Sequence, residues 1–180
     1  MHEDSAVTEI EISYLPKELP AGLLDAIKPV RIVDIYLSNP SVLTTKIRLR
    51  QRGSTYELTK KVNLDPANLS VQKEYTIPLT KEEFELFRSA GGRELVKDRY
   101  KLPVQDHIAE FDVLRGDLDG FVMIEVEFTS EADRDAFVAP DYFGADITQE
   151  DFIAGAYLAG KTYTDIQSHL DRLGYVPINI

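Results

Sequence analysis

The sequence predicts an α+β fold that is mainly β: an eight-stranded antiparallel closed β-barrel with flanking helices and a short C-terminal helical tail. Three observations carry this. Period-two alternation of apolar and polar residues dominates the first 130 of the 180 residues. The alternating stretches are short and joined by tight turns, as antiparallel pairing requires. Eight such stretches in a small chain must hide their hydrogen-bonding edges, and closure hides them.

Residues 7–14 read V-T-E-I-E-I-S-Y, with Glu9, Glu11 and Ser13 on one face and Ile10 and Ile12 on the other. Residues 17–28 read as a short helix bounded by Pro16, Pro20, Gly22 and Pro29. Residues 30–38 form a strand rich in β-branched side chains, ended by the turn Ser38-Asn39-Pro40. Residues 43–52 alternate Lys46, Arg48, Arg50 and Arg52 against Ile47 and Leu49; Gly53-Ser54 then turns the chain into a hairpin with 56–62. Residues 70–77 are the fifth strand. Thr80 opens a helix with Glu83 three residues on, the capping-box pattern, and Gly91-Gly92 ends it. Strands at 94–102, 107–115 and 121–128 follow, the last two joined by the turn-rich 116–120. Ser130 caps a helix through 138. Beyond Pro140, 151–159 and 164–173 read as helical, with Gly174 as the stop.

Composition bounds the partners. Thirty-one acids against 20 Lys and Arg give a net charge of −11, which excludes a general nucleic-acid or anionic-membrane binder. With 43% hydrophobic residues the chain can build a core. Zero cysteines exclude disulfides, thiolate zinc sites and a cysteine nucleophile. Without a leader pattern or an apolar run near the ~20 residues of a membrane helix, a complete, soluble, cytoplasmic protein is expected. It is read as one domain over 1–180, with the barrel core at about 7–130 and the helical C-terminal part at about 131–180.

The polar faces of the strands are ionic. Glu9 and Glu11, Glu74, Glu110 and Asp112, and Glu125 and Glu127 supply acid; Arg48 and Arg50, Lys61, and Lys97, Arg99 and Lys101 supply base. A single E-x-E on a strand is ordinarily a solvated face. In a closed barrel whose apolar faces pack under outer helices, the ionic faces instead line the lumen. Guanidinium and ammonium groups bind phosphate oxygens, and clustered carboxylates bind a hard divalent cation. Together they suit a metal–polyphosphate complex.

These residues fall in an order that resembles the CYTH domain, or triphosphate tunnel metalloenzyme, superfamily. Its E-x-E-x-K motif resembles Glu9-Ile10-Glu11-Ile12-Ser13, and its R-x-R strand matches Arg48-Leu49-Arg50 before Gly53. L-T-x-K matches Leu58-Thr59-Lys60-Lys61, and K-x-R-Y matches Lys97-Asp98-Arg99-Tyr100. E-x-D matches Glu110-Phe111-Asp112, and the late E-x-E matches Glu125-Val126-Glu127. The resemblance covers about residues 7–145. It implies a tunnel that binds a triphosphate-containing small molecule; the acidic composition adds the expectation of no nucleic-acid or membrane partner, and a homodimer is allowed for. It implies Mg²⁺ or Mn²⁺ held by Glu9, Glu11, Glu74, Asp112, Glu125 and Glu127. Arg48, Arg50, Lys61, Lys97 and Arg99 would hold phosphate, and Glu11, Lys61 and Arg50 would be the catalytic groups. The expected activity is metal-dependent hydrolysis of inorganic triphosphate or a nucleoside or organic triphosphate.

Two departures keep alternatives open. Ser13 stands in place of the motif lysine. Gln72 and Ser70 stand where an R-x-E-x-E motif has its first Glu and its Arg. The rival readings are an adenylate cyclase acting on ATP and a catalytically weak polyphosphate- or nucleotide-binding module. His2, His107 and His169 show no metal-ligand spacing, and no serine elbow or phosphate-binding glycine loop is present.

Overall fold

The alternating segments lie side by side as strands. The computed structural model describes residues 7–37, 45–65 and 68–178. In chain order these form β1 (Val7–Pro16), α1 (Leu23–Ala26), β2 (Val30–Tyr36), β3 (Thr45–Arg52), β4 (Thr55–Asp65), β5 (Asn68–Leu79), α2 (Lys81–Arg88), β6 (Arg93–Val104), β7 (His107–Leu114), β8 (Val122–Phe128), α3 (Glu131–Ala136), β9 (Phe143–Asp146), α4 (Gly155–Leu158) and α5 (Tyr163–Arg172). Single 3₁₀ turns occupy Gly116–Leu118 and Asp151–Ile153.

Eight strands run in the order β5-β4-β3-β2-β6-β7-β8-β1, and β1 pairs back onto β5 to close the barrel. Every pair is antiparallel. Strand β1 is the seam. It pairs β5 through Val7–Ile10 and β8 through Ile10–Tyr14, and its far end takes β9, with Tyr14 opposite Asp146 and Pro16 opposite Phe143.

The apolar faces point outward, and most of their area is covered, although Leu64 and Ile77 stay exposed. Phe111, Ile124 and Val126 pack with Tyr14 and Phe143 on one flank. On the other, Phe84 of α2 lies against Ile35 and Leu49. Helix α2 starts as the sequence indicates: Thr80 Oγ1 accepts from the Glu83 amide, and Glu83 accepts from the Thr80 amide. The third cluster joins the C-terminal segment to one end of the barrel: Ile147, Phe152, Leu158, Ile166 and Leu170 pack with Tyr36, Leu95 and Met123.

Four expectations are corrected. The helix over 17–28 is a single turn, because Gly22 enters it with φ 76° and Ile27 is already extended. Lys17 instead donates its amide to the Tyr142 carbonyl. The helix at 151–159 is a 3₁₀ turn and a four-residue helix, separated by extended Ala154 (ψ 127°). The helix from Ser130 stops at Ala136. A ninth strand exists, since Phe143–Asp146 is too short to show alternation. The turn at 38–40 lies outside the described residues.

Candidate functional site: an ion-lined tunnel

Cross-strand register decides which side chains meet in the lumen. Starting from β4 and going round the barrel, Lys61, then Arg48 and Arg50, then Lys97 and Arg99 form a basic arc. Glu110, Glu125 and Glu127, Glu9 and Glu11, and Glu74 form the facing acidic arc. Thirteen residues line this chamber and all carry charge; its cavity volume is about 260 Å³.

Strand β2 supplies two inward groups that the sequence reading passed over. Asp34 stands opposite Arg50 in the register. Its carboxylate takes both arms of the guanidinium, Oδ1 from Nε at 2.6 Å and Oδ2 from Nη2 at 2.7 Å. Such a fork fixes the plane of the arginine. Burial works against the Asp34 charge, but Arg48 and Arg50 outweigh it and hold its pKa well below the usual carboxylate range. Tyr36 stands opposite Arg48 and its hydroxyl is hydrogen-bonded to it. The signal was present in Ile32-Val33-Asp34-Ile35-Tyr36, whose alternate positions share the parity of the basic strand beside it.

The basic groups of β6 are anchored by Asp112 of the neighbouring strand β7. It accepts from Arg99 Nε and Nη2, both at 2.6 Å, and from Lys97 Nζ. Asp112 is fully buried and lines neither chamber of the tunnel. Arg99 also reaches Glu110, and Glu125 at 2.5 Å, tying the two arcs together. Lys61 is paired with Glu9, with Glu74 3.5 Å away, and Arg48 lies 3.4 Å from Glu74. Burial penalises the Lys61 charge, yet Glu11, Glu9 and Glu74 keep it firmly protonated. The Arg48 Nε is buried without a hydrogen-bond partner among the described residues, a donor that a ligand can use.

The acidic arc is over-supplied with negative charge. Glu11 and Glu127 are directly opposite on β1 and β8, and Glu110 and Glu125 are opposite on β7 and β8. Like charges in that relation repel. The Glu110–Glu125 pair is bridged by Arg99. Glu11 and Glu127 lack such a bridge, and both are pushed to higher pKa. For Glu11 the cause is burial, then Glu125 and Glu9; for Glu127 it is burial, then Glu110 and Glu11. Glu9 is raised too, by burial first. Among the described residues no three such side chains are already gathered as a metal cluster. The donor set nonetheless fits a hard divalent cation: it is all oxygen, and the repulsion that Lys61 offsets only in part is what such a cation relieves.

The tunnel continues past a collar of Glu11, Arg48, Lys61, Lys97 and Glu125 into a second chamber, capped by residues 148–155. Ser13 lies there. Its amide donates to Thr148 Oγ1 at 3.0 Å, and its carbonyl accepts from the Ile147 amide at 2.8 Å. The C-terminal segment therefore occupies one end of the tunnel.

A closed antiparallel barrel with opposed acidic and basic walls has the chemistry to receive a small polyanion together with a cation. Known proteins narrow the class. An inorganic triphosphatase of Nitrosomonas europaea is 38% identical over 147 residues, 80% of this chain and 91% of that protein. A solved inorganic triphosphatase superposes with a TM-score of 0.61 at 32% identity, covering 86% of this chain and 96% of that one. A Bacillus halodurans structure, solved as an adenylate cyclase candidate, shares the fold with a TM-score of 0.56 at 17% identity, over 91% and 97% of the two chains. No family model matches. The chain belongs to the inorganic triphosphatase family.

Proposed function

We propose that this chain is a divalent-metal-dependent triphosphatase of the CYTH, or triphosphate tunnel metalloenzyme, superfamily, hydrolysing a triphosphate held in the charged chamber. The observation that carries this is the opposition of the two arcs: basic groups on β3, β4 and β6 face carboxylates on β1, β7 and β8 across one lumen. Eight basic and eight acidic side chains line the two chambers, so the net charge of −11 resides elsewhere on the molecule. That distribution admits a small phosphate chain and disfavours an extended nucleic acid.

In this reading Arg48, Arg50, Lys61, Lys97 and Arg99 hold phosphate oxygens. Asp34 and Asp112 set the orientation of Arg50 and Arg99 before substrate arrives, which is preorganisation of the kind that lowers a charged transition state. Glu9, Glu11, Glu125 and Glu127 hold Mg²⁺ or Mn²⁺, with Glu74 beside them; Asp112, buried against Arg99 and Lys97 and outside both chambers, positions those two groups instead. Such a cation, when bound, supplies charge neutralisation at the phosphates and acidifies water. Glu11, in the collar, orients the attacking water. Lys61 stays protonated and Arg50 stays planar, and both stabilise the leaving phosphate.

The test is a panel of phosphate release from inorganic triphosphate and ATP with Mg²⁺ or Mn²⁺, read beside thermal shift. The native protein is expected to release phosphate only with metal. Arg50→Ala should lower the rate by about 10²–10³-fold, the cost of one preorganised charge-stabilising donor. No release from either substrate with either metal sinks the reading and leaves a binding module.

A further inference from the structure

Eight basic side chains line the two chambers, and seven of them sit in ion pairs within 4.0 Å. Lys46 is the eighth, and among the described residues its ammonium has neither an ion pair nor a hydrogen bond. It stands directly opposite Lys61 in the β3–β4 register, and like charges in that relation repel. Lys61 and Arg48 oppose its charge, while Glu11 and Asp151 favour it from beyond ion-pair distance. Glu150, the other acid that the C-terminal segment brings to this chamber, is held by Arg172 at 2.6 Å. The next cross-strand pair is Arg48 with Thr59. Thr59 is 0% exposed, and both its hydroxyl and the Arg48 Nε lack a hydrogen-bond partner among the described residues. Native proteins rarely leave buried polar atoms unpaired. Ammonium, guanidinium and hydroxyl all donate. Three unused donors on adjacent pairs of one wall call for a ligand made of acceptors, and two of the three carry positive charge, so that ligand is an anion. Across the same chamber β1 presents Ser13, which brings no charge.

We propose that Lys46 and Thr59 bind the phosphate at the collar end of the triphosphate chain, with Lys46 supplying from β3 the positive charge that β1 does not bring. The proposal rests on the triphosphatase reading and adds two binding residues to its site. The spacing fits. Lys46, Arg48 and Arg50 occupy alternate positions of β3, about 6–7 Å apart along the strand. A phosphate chain that follows this wall from Arg50 to Arg48 meets Lys46 next, one step past the collar. There the ammonium neutralises one oxyanion and the Thr59 hydroxyl donates to a second. An anion beside Lys46 and Lys61 also relieves the repulsion between them. The departure from the E-x-E-x-K pattern at Ser13 is thus made good by a lysine three strands away round the barrel.

Three measurements test it: calorimetric binding of inorganic triphosphate without metal, kcat and KM for its hydrolysis with Mg²⁺, and the melting temperature of the ligand-free protein. Lys46→Met keeps the length of the stem and should weaken triphosphate about 10- to 100-fold, the worth of a hydrogen bond to a charged group. Thr59→Val keeps the shape and should weaken it about 3- to 10-fold. The ligand-free Lys46→Met protein should melt no lower than the native one, because its repulsion with Lys61 is gone; a purely structural lysine would lower the melting temperature. Relocating the charge is the sharper test. Ser13 makes its bonds to Thr148 and Ile147 through its backbone, so Ser13→Lys leaves them in place. The double variant Ser13→Lys/Lys46→Met should regain most of the affinity that Lys46→Met loses. The assignment is overturned if Lys46→Met binds and turns over triphosphate as the native protein does. It is overturned equally if Lys46→Met lowers the melting temperature and kcat while affinity and KM stay native. A double variant that melts like the native protein yet binds no better than Lys46→Met overturns the exchange of β1 for β3. Should the native protein neither bind nor hydrolyse triphosphate, the triphosphatase reading itself falls, a result distinct from the others.

Discussion

Asp34 shows how much one buried carboxylate decides. It touches no solvent, yet it holds Arg50 by both arms and draws Arg48 to 3.9 Å. Asp34→Asn leaves buried guanidinium charge without its counter-ion, which costs about 3–5 kcal/mol; urea unfolding checks this. The pH dependence has a definite sign. Asp34's pKa is lowered in the folded chain, so its contribution is present above the unfolded carboxylate value of roughly 3.9 and is lost as pH falls through the folded one. The stability gap between wild type and Asp34→Asn should therefore narrow on acidification from pH 7 to below pH 3. Residues such as Glu9, Glu11, Arg48 and Arg50 were legible in the sequence because each recurs at period two within a charged strand. Asp34 shows there only as a single acid at the right parity among apolar neighbours, and the register is what places it against Arg50.

At the scale of elements, strands were easier to read than helices. Alternation marks a strand whose two faces differ, and most of the barrel strands, β2 excepted, set a charged face against a more apolar one. The short helices carry no such mark: α1 and α4 have four residues each, too few for a 3.6-residue period to show. Their positions come from packing. Gly155, at the start of α4, sits where a Cβ would collide with the Tyr36 hydroxyl. Gly155→Ala should therefore push the C-terminal segment off the barrel end and cost about 1–3 kcal/mol, as overpacking does. Adding Tyr36→Phe should recover part of that loss, and thermal melts of the two singles and the double measure the coupling. On the acidic arc, Glu11 and Glu127 repel across β1 and β8. Glu127→Gln should raise the stability of the metal-free protein by about 0.2–1 kcal/mol, while reducing the rise in melting temperature that Mg²⁺ or Mn²⁺ confers with triphosphate. A fall in metal-free stability would show that the pair is not in conflict.

Across the whole molecule, charge is sorted by depth. The net charge of −11 is at odds with a polyanion only if it is spread evenly, and the eight-to-eight balance of the tunnel lining shows that it is not. Closure of the barrel does the sorting, since it sends one face of every strand inward. That much followed from strand count and parity. The place of the C-terminal segment did not, because its contacts with Tyr36, Leu95 and Met123 join residues far apart in sequence with no shared pattern.

The seam strand gives the fold a cooperative unit larger than the barrel. Between Ser13 and Lys17 the β1 backbone is bonded to the C-terminal segment: Ile147 donates its amide to Ser13 O, and Lys17 donates to Tyr142 O. The same strand, four residues earlier, closes the barrel against β5. Releasing residues 142–147 therefore exposes the edge of the strand that carries Glu9 and Glu11. In amide hydrogen exchange, the Ile147 and Lys17 protons should be protected to nearly the same free energy as those of β1 and β8, well above the exposed turn at Gly53-Ser54. Exchange of Ile147 at the rate of that turn would mean that the C-terminal segment opens on its own.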